Sequence, residues 1–313
     1  VSTTGTSPTP ASPDPARPDP ATPDPEQANP EQASPEPAAP RIRTGRNLPA
    51  AIGVGVVLGG LVLLTLLTVK ATFLIFMGVA LALALHELTG ALSKSRDVAL
   101  PWIPVGLGGA AMVTAGYWAA GGAVLAAFAL TVLGVLIYRM FGGTKGYVAD
   151  VTAGVFAAAY LGLLGATVSA MLAEPNGARR VLIFVALTIC SDIGGYFAGI
   201  TLTPFTGGHP MAPVISPKKT WEGLAGSVFL AVVAGALLVP LLLHGHWWQG
   251  VITGVAAVAA AVFGDLAESM IKRDLGVKDM GSLLPGHGGV LDRLDSLLAC
   301  APVVWLLLAL FIR

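Results

Sequence analysis

Residues 248–312 read WQGVITGVAAVAAAVFGDLAESMIKRDLGVKDMGSLLPGHGGVLDRLDSLLACAPVVWLLLALFI. Two runs of Val, Ala, Leu and Gly, over 248–270 and 288–312, are each long enough to cross a hydrocarbon core, which takes about 20 residues of helix. Between them, from Asp265 to Ser296, lies about a quarter of the chain's charged side chains in about a tenth of its length. Charge at that density beside apolar runs is costly in lipid unless it is paired and put to use. The stretch therefore reads as a transmembrane helical hairpin with a chemical site at its connection.

The rest of the chain repeats the apolar half of this pattern. Of its 313 residues 54% are hydrophobic and 12% charged, and the mean hydropathy is +0.75, well above that of soluble domains. Further runs suited to spanning lie at 48–69, 71–92, 99–118, 121–140, 148–173, 180–202 and 222–243, which makes about nine in all. The expected fold is all-α, a polytopic transmembrane helical bundle whose recurring Gly and Ala suit close helix packing in lipid. Residues 1–47 are a Pro/Ala/acidic tract with almost nothing large and apolar to bury, so a disordered, cytoplasmic N-terminal tail is expected ahead of a transmembrane domain at 48–313. A Pro-rich ligand for a partner is the alternative reading of that tail. Its polar start predicts no cleavable signal peptide. Cys190 and Cys300 sit in apolar runs and read as small buried hydrophobes.

Lys and Arg in the short connections set the expected orientation. With Arg41, Arg43 and Arg46 inside, the loops carrying Lys94 and Arg96, Arg139 and Lys145, Lys218 and Lys219, and Lys272, Arg273 and Lys278 fall on the same side. Arg179 and Arg180 dissent. The expectation is a cytoplasmic N-terminus and a charged stretch facing the cytoplasm. Balanced totals of 18 basic and 18 acidic residues give no reason to expect a nucleic-acid partner.

Two constellations carry chemistry. In the first, SDIGGYFAGI at 191–200 continues to APVISPKKTWEG at 212–223. Asp192 is an ionisable group in or at the edge of a span, and Gly194, Gly195 and Gly199 allow close approach. Ser216 with Pro217 predicts a helix start that presents free N–H groups beside Lys218 and Lys219, an arrangement suited to phosphate; a topological anchor is the competing reading of those lysines. In the second, Asp265, Glu268, Ser269 and Lys272 share one helical face, and Asp292, Asp295 and Ser296 share another. The LPGHGG turn joins them, and its His287 could touch a phosphate or hold the turn. Converging carboxylates ask for a hard divalent cation such as magnesium, and nearby Lys and Arg for phosphates, which together equip phosphoryl or nucleotidyl transfer. Glu87, in LHELTG, either faces a substrate cavity or hydrogen-bonds another helix.

Ser269 to Asp295, read as S-x-I-K-R-x4-K-D-x-G-x2-L-P-x-H-G-G-V-x-D-R-L-D, resembles the signature of the phosphatidate cytidylyltransferase (CDP-diacylglycerol synthase) family, and SDIGGYFAG and ISPKKTWEG resemble two further blocks of it. The resemblance runs from about residue 48 to the C-terminus. It implies a nucleotidyltransferase of phospholipid biosynthesis that transfers CMP from CTP to phosphatidate, giving CDP-diacylglycerol and pyrophosphate, with Mg2+ and a possible second cation. It places Asp265, Asp292, Lys272, Arg273 and Asp295 in the catalytic group, with Asp265 and Asp292 as metal ligands. Ser191, Asp192, Ser216, Lys218, Lys219, Thr220, Glu222, Ser269, Lys278, Asp279 and His287 would bind nucleotide and phosphate. Ile193 stands where the family usually has Thr, Ile200 where it has Arg, and HPMAP where it has HKLAP. The Ala, Gly and Pro usage hints at a bacterial source and hence a bacterial plasma membrane, with membrane lipid and a possible homodimer as further partners. A polyprenol kinase-like CTP enzyme and a secondary transporter are the alternatives. The transporter reading is weakened by charges that gather at one end of the spans and by the lack of a clear inverted repeat.

Overall fold

The computed structural model describes residues 48–119, 121–284 and 288–312. The expectations for the tail at 1–47 and for His287 lie outside the described residues.

Each of the nine apolar runs corresponds to a helical segment. These are α1 (Leu48–Thr68), α2 (Lys70–Arg96), α3 (Trp102–Trp118), α4 (Gly121–Met140), a long segment made of α5 (Tyr147–Ala157), a π turn (Ala158–Leu163) and α6 (Leu164–Ala173), then α7 (Gly177–Thr206), α8 (Trp221–Leu243), α9 (Trp247–Asp274) and α10 (Leu291–Phe311). Among the described residues seven segments are long and apolar enough to cross a membrane; α3, with 17 residues, falls short of that length. The protein is a multi-pass membrane protein. Its outward faces carry large apolar side chains such as Phe229, Leu241 and Phe263, suited to lipid.

Burying oil against oil gains little in a bilayer, so backbone contact must hold the bundle. Gly235 of α8 and Gly250 of α9 meet face to face: a Cβ on Gly250 would stand 2.0 Å from the Gly235 carbonyl oxygen. Two apolar clusters fill the interior. One gathers Phe73, Met171, Leu187, Val304 and Leu308; the other gathers Leu88, Met112, Val135, Leu161 and Leu291. The charged site lies beside the second, where α9 ends and α10 begins.

One expected element is corrected. Ser216–Thr220 is a β-strand paired antiparallel with Pro210–Ala212, not the first turn of a helix. The helix starts at Trp221, and its cap is Thr220, whose hydroxyl accepts the Gly223 N–H at 3.1 Å. Ser-Pro is a helix-start signature, but Pro also suits an edge strand, and the hairpin partner decided the outcome.

The ends of α10 are held by side chains of opposite charge, each matched to the helix dipole. Glu87 accepts the N–H groups of Val290 and Leu291 at its start. Arg180 donates to the carbonyls of Leu308 and Ile312 at its end, at 3.0 and 2.7 Å. Arg179 likewise donates to the Leu242 carbonyl of α8. The two arginines that dissent from the charge rule are thus helix caps. Both cysteines are free, and Cys300 is buried.

Candidate active site

The helical spacing of α9 does put Asp265, Glu268, Ser269 and Lys272 on one face. Ser269 donates to Asp265 at 3.3 Å. Gly264 lets this face press against α10: a Cβ there would meet the Asp295 carbonyl oxygen at 2.7 Å and the Ala299 methyl at 2.6 Å. Lys272 then bridges the two helices. Its ammonium pairs with Glu268, one turn back, and with Asp292 of α10 at 3.0 Å.

Asp292 is a hub. Its carboxylate accepts N–H bonds from Met280, at 3.2 and 3.1 Å to its two oxygens, and from Gly289 at 2.8 Å, besides the bond from Lys272. The connection between the helices folds back on itself, with the Leu284 N–H bonded to the Gly288 carbonyl at 2.9 Å. Glu87 closes the loop from the other side. Cβ atoms on Gly281 or Gly289 would stand 2.2 and 2.5 Å from its carboxylate oxygens, so only glycine allows the contact. Of the two readings of Glu87, the structure takes the hydrogen-bonded one; the residue is 6% exposed.

The β-hairpin supplies a second cation. Alternation along the strand leaves Lys218 exposed and turns Lys219 inward, where its ammonium lies 2.6 Å from Asp265. Glu222, two residues into α8, accepts from the Thr206 hydroxyl and His209 Nδ1, each at 2.8 Å, and from the His209 N–H. It holds the base of the hairpin. Ser191 is buried where α7 meets α8, its carbonyl accepting the Ser227 hydroxyl at 2.6 Å.

The carboxylates of Asp192, Asp265, Glu268 and Asp295 lie close enough for their charges to act on one another, and Lys219 and Arg293 act on Asp192. Glu268 is fully buried, and its Oε1 has no hydrogen-bond partner among the described residues. Five acids, Asp292 included, set against Lys219, Lys272 and Arg293 leave an excess of hard oxygen donors, which suits a divalent cation in kind. No three His, Cys, Asp or Glu side chains among the described residues are already gathered as a ligand set. Arg273, Lys278 and Asp279 are exposed at the rim.

Two contributors carried weak signals in the sequence. Glu268 showed its helical face but not its burial. Tyr160, in the apolar run AAAYLGLLG, stands on the π turn with its hydroxyl buried, and the charges of Glu268, Asp295 and Asp265 act on it.

Residues 49–311 match the Cytidylyltransferase family. The chain is similar to the protein named phosphatidate cytidylyltransferase of Mycobacterium bovis, at 39% identity over 282 residues, covering 86% of this chain and 90% of the relative. It is similar to the one of Mycobacterium leprae at 38% over 286 residues, with 86% and 89% covered. For that of Mycobacterium tuberculosis the identity is 39% over 282 residues, with 86% and 84% covered. With a match across nearly the whole helical bundle, and relatives this similar over most of their own length, the chain belongs to the Cytidylyltransferase family.

Proposed function

We propose that the protein transfers CMP from CTP to phosphatidate, forming CDP-diacylglycerol and pyrophosphate at the cytoplasmic face of a bacterial plasma membrane. The observation that carries this reading is the joining of α9, α10 and the hairpin by Lys272 and Lys219 through acidic side chains, in a chain whose relatives bear that name. The Lys and Arg of four connections support the orientation, and the two arginines that oppose it are engaged as caps.

The phosphate of phosphatidate is ionised near neutral pH. One of its oxygens attacks the α-phosphorus of CTP, a new P–O bond forms, and the bond to the β-phosphate oxygen breaks as pyrophosphate leaves. No covalent enzyme intermediate is required. Repulsion between two anions is the main obstacle, and positioned ammonium groups lower it. Lys272 and Lys219 would serve this, and Arg273 and Lys278 would draw anions in. Ser269 offers a hydroxyl beside Asp265.

Mg2+, with a second cation, belongs to this reading. It would neutralise charge on the transferring phosphoryl group. Asp265 and Asp292 are the ligands expected from the family resemblance; Asp295 and Glu268 stand near Asp265 with oxygen capacity to spare. Asp292 would have to yield some of its four present hydrogen bonds.

The test is pyrophosphate release by the detergent-purified protein from CTP, ATP or dCTP, with and without phosphatidate and magnesium. Release dependent on CTP, lipid and metal supports the proposal. A lipid product carrying one added phosphate would indicate a kinase, and no release would return the transporter reading. The expected homodimer is read out by light scattering on the same preparation.

A further inference from the structure

The π turn at Ala158–Leu163 interrupts an otherwise continuous helical segment and carries Tyr160. Such turns re-aim side chains by inserting a residue into the helical repeat, and they occur often at functional sites. The Tyr160 ring stacks on Phe156 at 5.4 Å with 13° between planes, which fixes its direction. Its hydroxyl is buried without a hydrogen-bond partner among the described residues. A buried phenol that makes no hydrogen bond is a net cost to the fold.

Tyr160 packs against the apolar cluster that holds Leu291 and Leu298 of α10, and the carboxylates whose charges act on its hydroxyl are those of Glu268, Asp295 and Asp265. Glu268 is fully buried with Oε1 also unpartnered among the described residues. The Tyr160 hydroxyl and Glu268 Oε1 are thus both without a hydrogen-bond partner among the described residues, and they do not bond each other. A ligand that reaches these acids would meet a neutral O–H donor among them.

We propose that Tyr160 is a substrate-contacting residue whose hydroxyl donates a hydrogen bond to a phosphate oxygen. This rests on the phosphate-transfer reading of the site. Among carboxylates, an incoming phosphate needs donors, and a phenol supplies one in a low-dielectric setting where such bonds are strengthened. The phosphate can be that of the nucleotide or of the lipid.

The variant is Tyr160→Phe in the full chain, which removes one oxygen and keeps the stacked ring. With wild type active as a control, kcat/KM should fall about 10-fold, with the thermal midpoint unchanged or raised. A raised KM for CTP alone would identify the nucleotide's phosphate, and a raised KM for phosphatidate alone the lipid's. A lowered kcat with both KM values unchanged would place the contact in the transition state. Wild-type kcat/KM for both substrates would overturn the proposal, whatever the midpoint does. A second readout does not depend on turnover: the rise in thermal midpoint caused by inorganic pyrophosphate should shrink at least twofold in the variant. An equal rise in both proteins overturns the assignment even if the reaction proves to be a different one.

Discussion

Glu87 of α2 and Leu291 of α10, 204 positions apart in the chain, are joined by a hydrogen bond of 2.9 Å from the Leu291 N–H to the Glu87 carboxylate. The other oxygen of the same carboxylate takes the Val290 N–H at 3.0 Å. A buried carboxylate thus holds the start of the helix that carries Asp292 and Asp295. Glu87→Gln replaces one acceptor oxygen with an NH2 group facing an N–H donor. It should cost about 1–3 kcal/mol of stability and lower turnover, because the loop at 281–290 loses its seat. Thermal midpoint and activity, measured together in detergent, check this; a variant matching wild type in both would mean the contact is not formed.

Asp265→Asn and Asp292→Asn should both abolish turnover, for different reasons. Among the described residues Asp265 meets Lys219 and Ser269 and holds no backbone group in place, so its variant should keep the wild-type thermal midpoint. Asp292 accepts two backbone N–H groups as well as Lys272. An amide there cannot accept them all, and about 1–3 kcal/mol of stability should go with the activity. Equal midpoints in the two variants would count against a structural role for Asp292, and residual turnover near wild type in either would remove it from the catalytic group.

The bundle was legible because spanning helices need long apolar runs, and nothing else in the chain looks like one. The i, i+3, i+4, i+7 spacing from Asp265 to Lys272 likewise survived unchanged, since it depends only on helical period. Ser216-Pro217 misled because its local signature is shared by helix starts and edge strands, and the deciding partner, Pro210–Ala212, acts through pairing across a turn. Lys219 and Asp265 are far apart in sequence, and no local pattern pairs them. Tyr160 was hidden for a related reason: a π turn has no residue signature, so the direction of its side chains is settled by packing.

Lys218 and Lys219 should separate cleanly. Lys219 lies against Asp265 and Lys218 is exposed. Lys219→Gln should therefore lower kcat/KM for CTP about 10-fold or more, and Lys218→Gln less than about 3-fold, as for a surface charge that only attracts anions. Titration of CTP at two ionic strengths checks this, because the Lys218 effect should fade with salt. Equal effects would return both lysines to a topological role.

Arg180→Gln tests the far end of α10. Arg180 is 3% exposed, and its guanidinium donates to the carbonyls of Leu308, Ile312 and Pro175. Losing it leaves those carbonyls less well satisfied and removes a cation from the helix C-terminus. A loss of about 2–3 kcal/mol is expected, with the CTP concentration needed for half-maximal rate unchanged. A changed CTP dependence would link this end of the helix to the site.

Gly264→Ala probes the contact on which the site's geometry depends. Ala is the better helix former by about 1 kcal/mol, so in an open position the change should be neutral or stabilising. Gly60, with nothing within 4 Å of a built Cβ, is such a position and serves as the control. At Gly264 the new methyl would stand 2.7 Å from the Asp295 carbonyl oxygen and 2.6 Å from the Ala299 Cβ. Since part of that clash is with backbone, α9 and α10 must separate. Overpacking of this kind costs about 1–3 kcal/mol, which outweighs the propensity gain. The separation also draws Lys272 of α9 away from Asp292 of α10, so turnover should fall by more than the lost stability alone would cause. A Gly264→Ala variant as active and as stable as Gly60→Ala would show that the close approach of α9 and α10 is not what assembles the site.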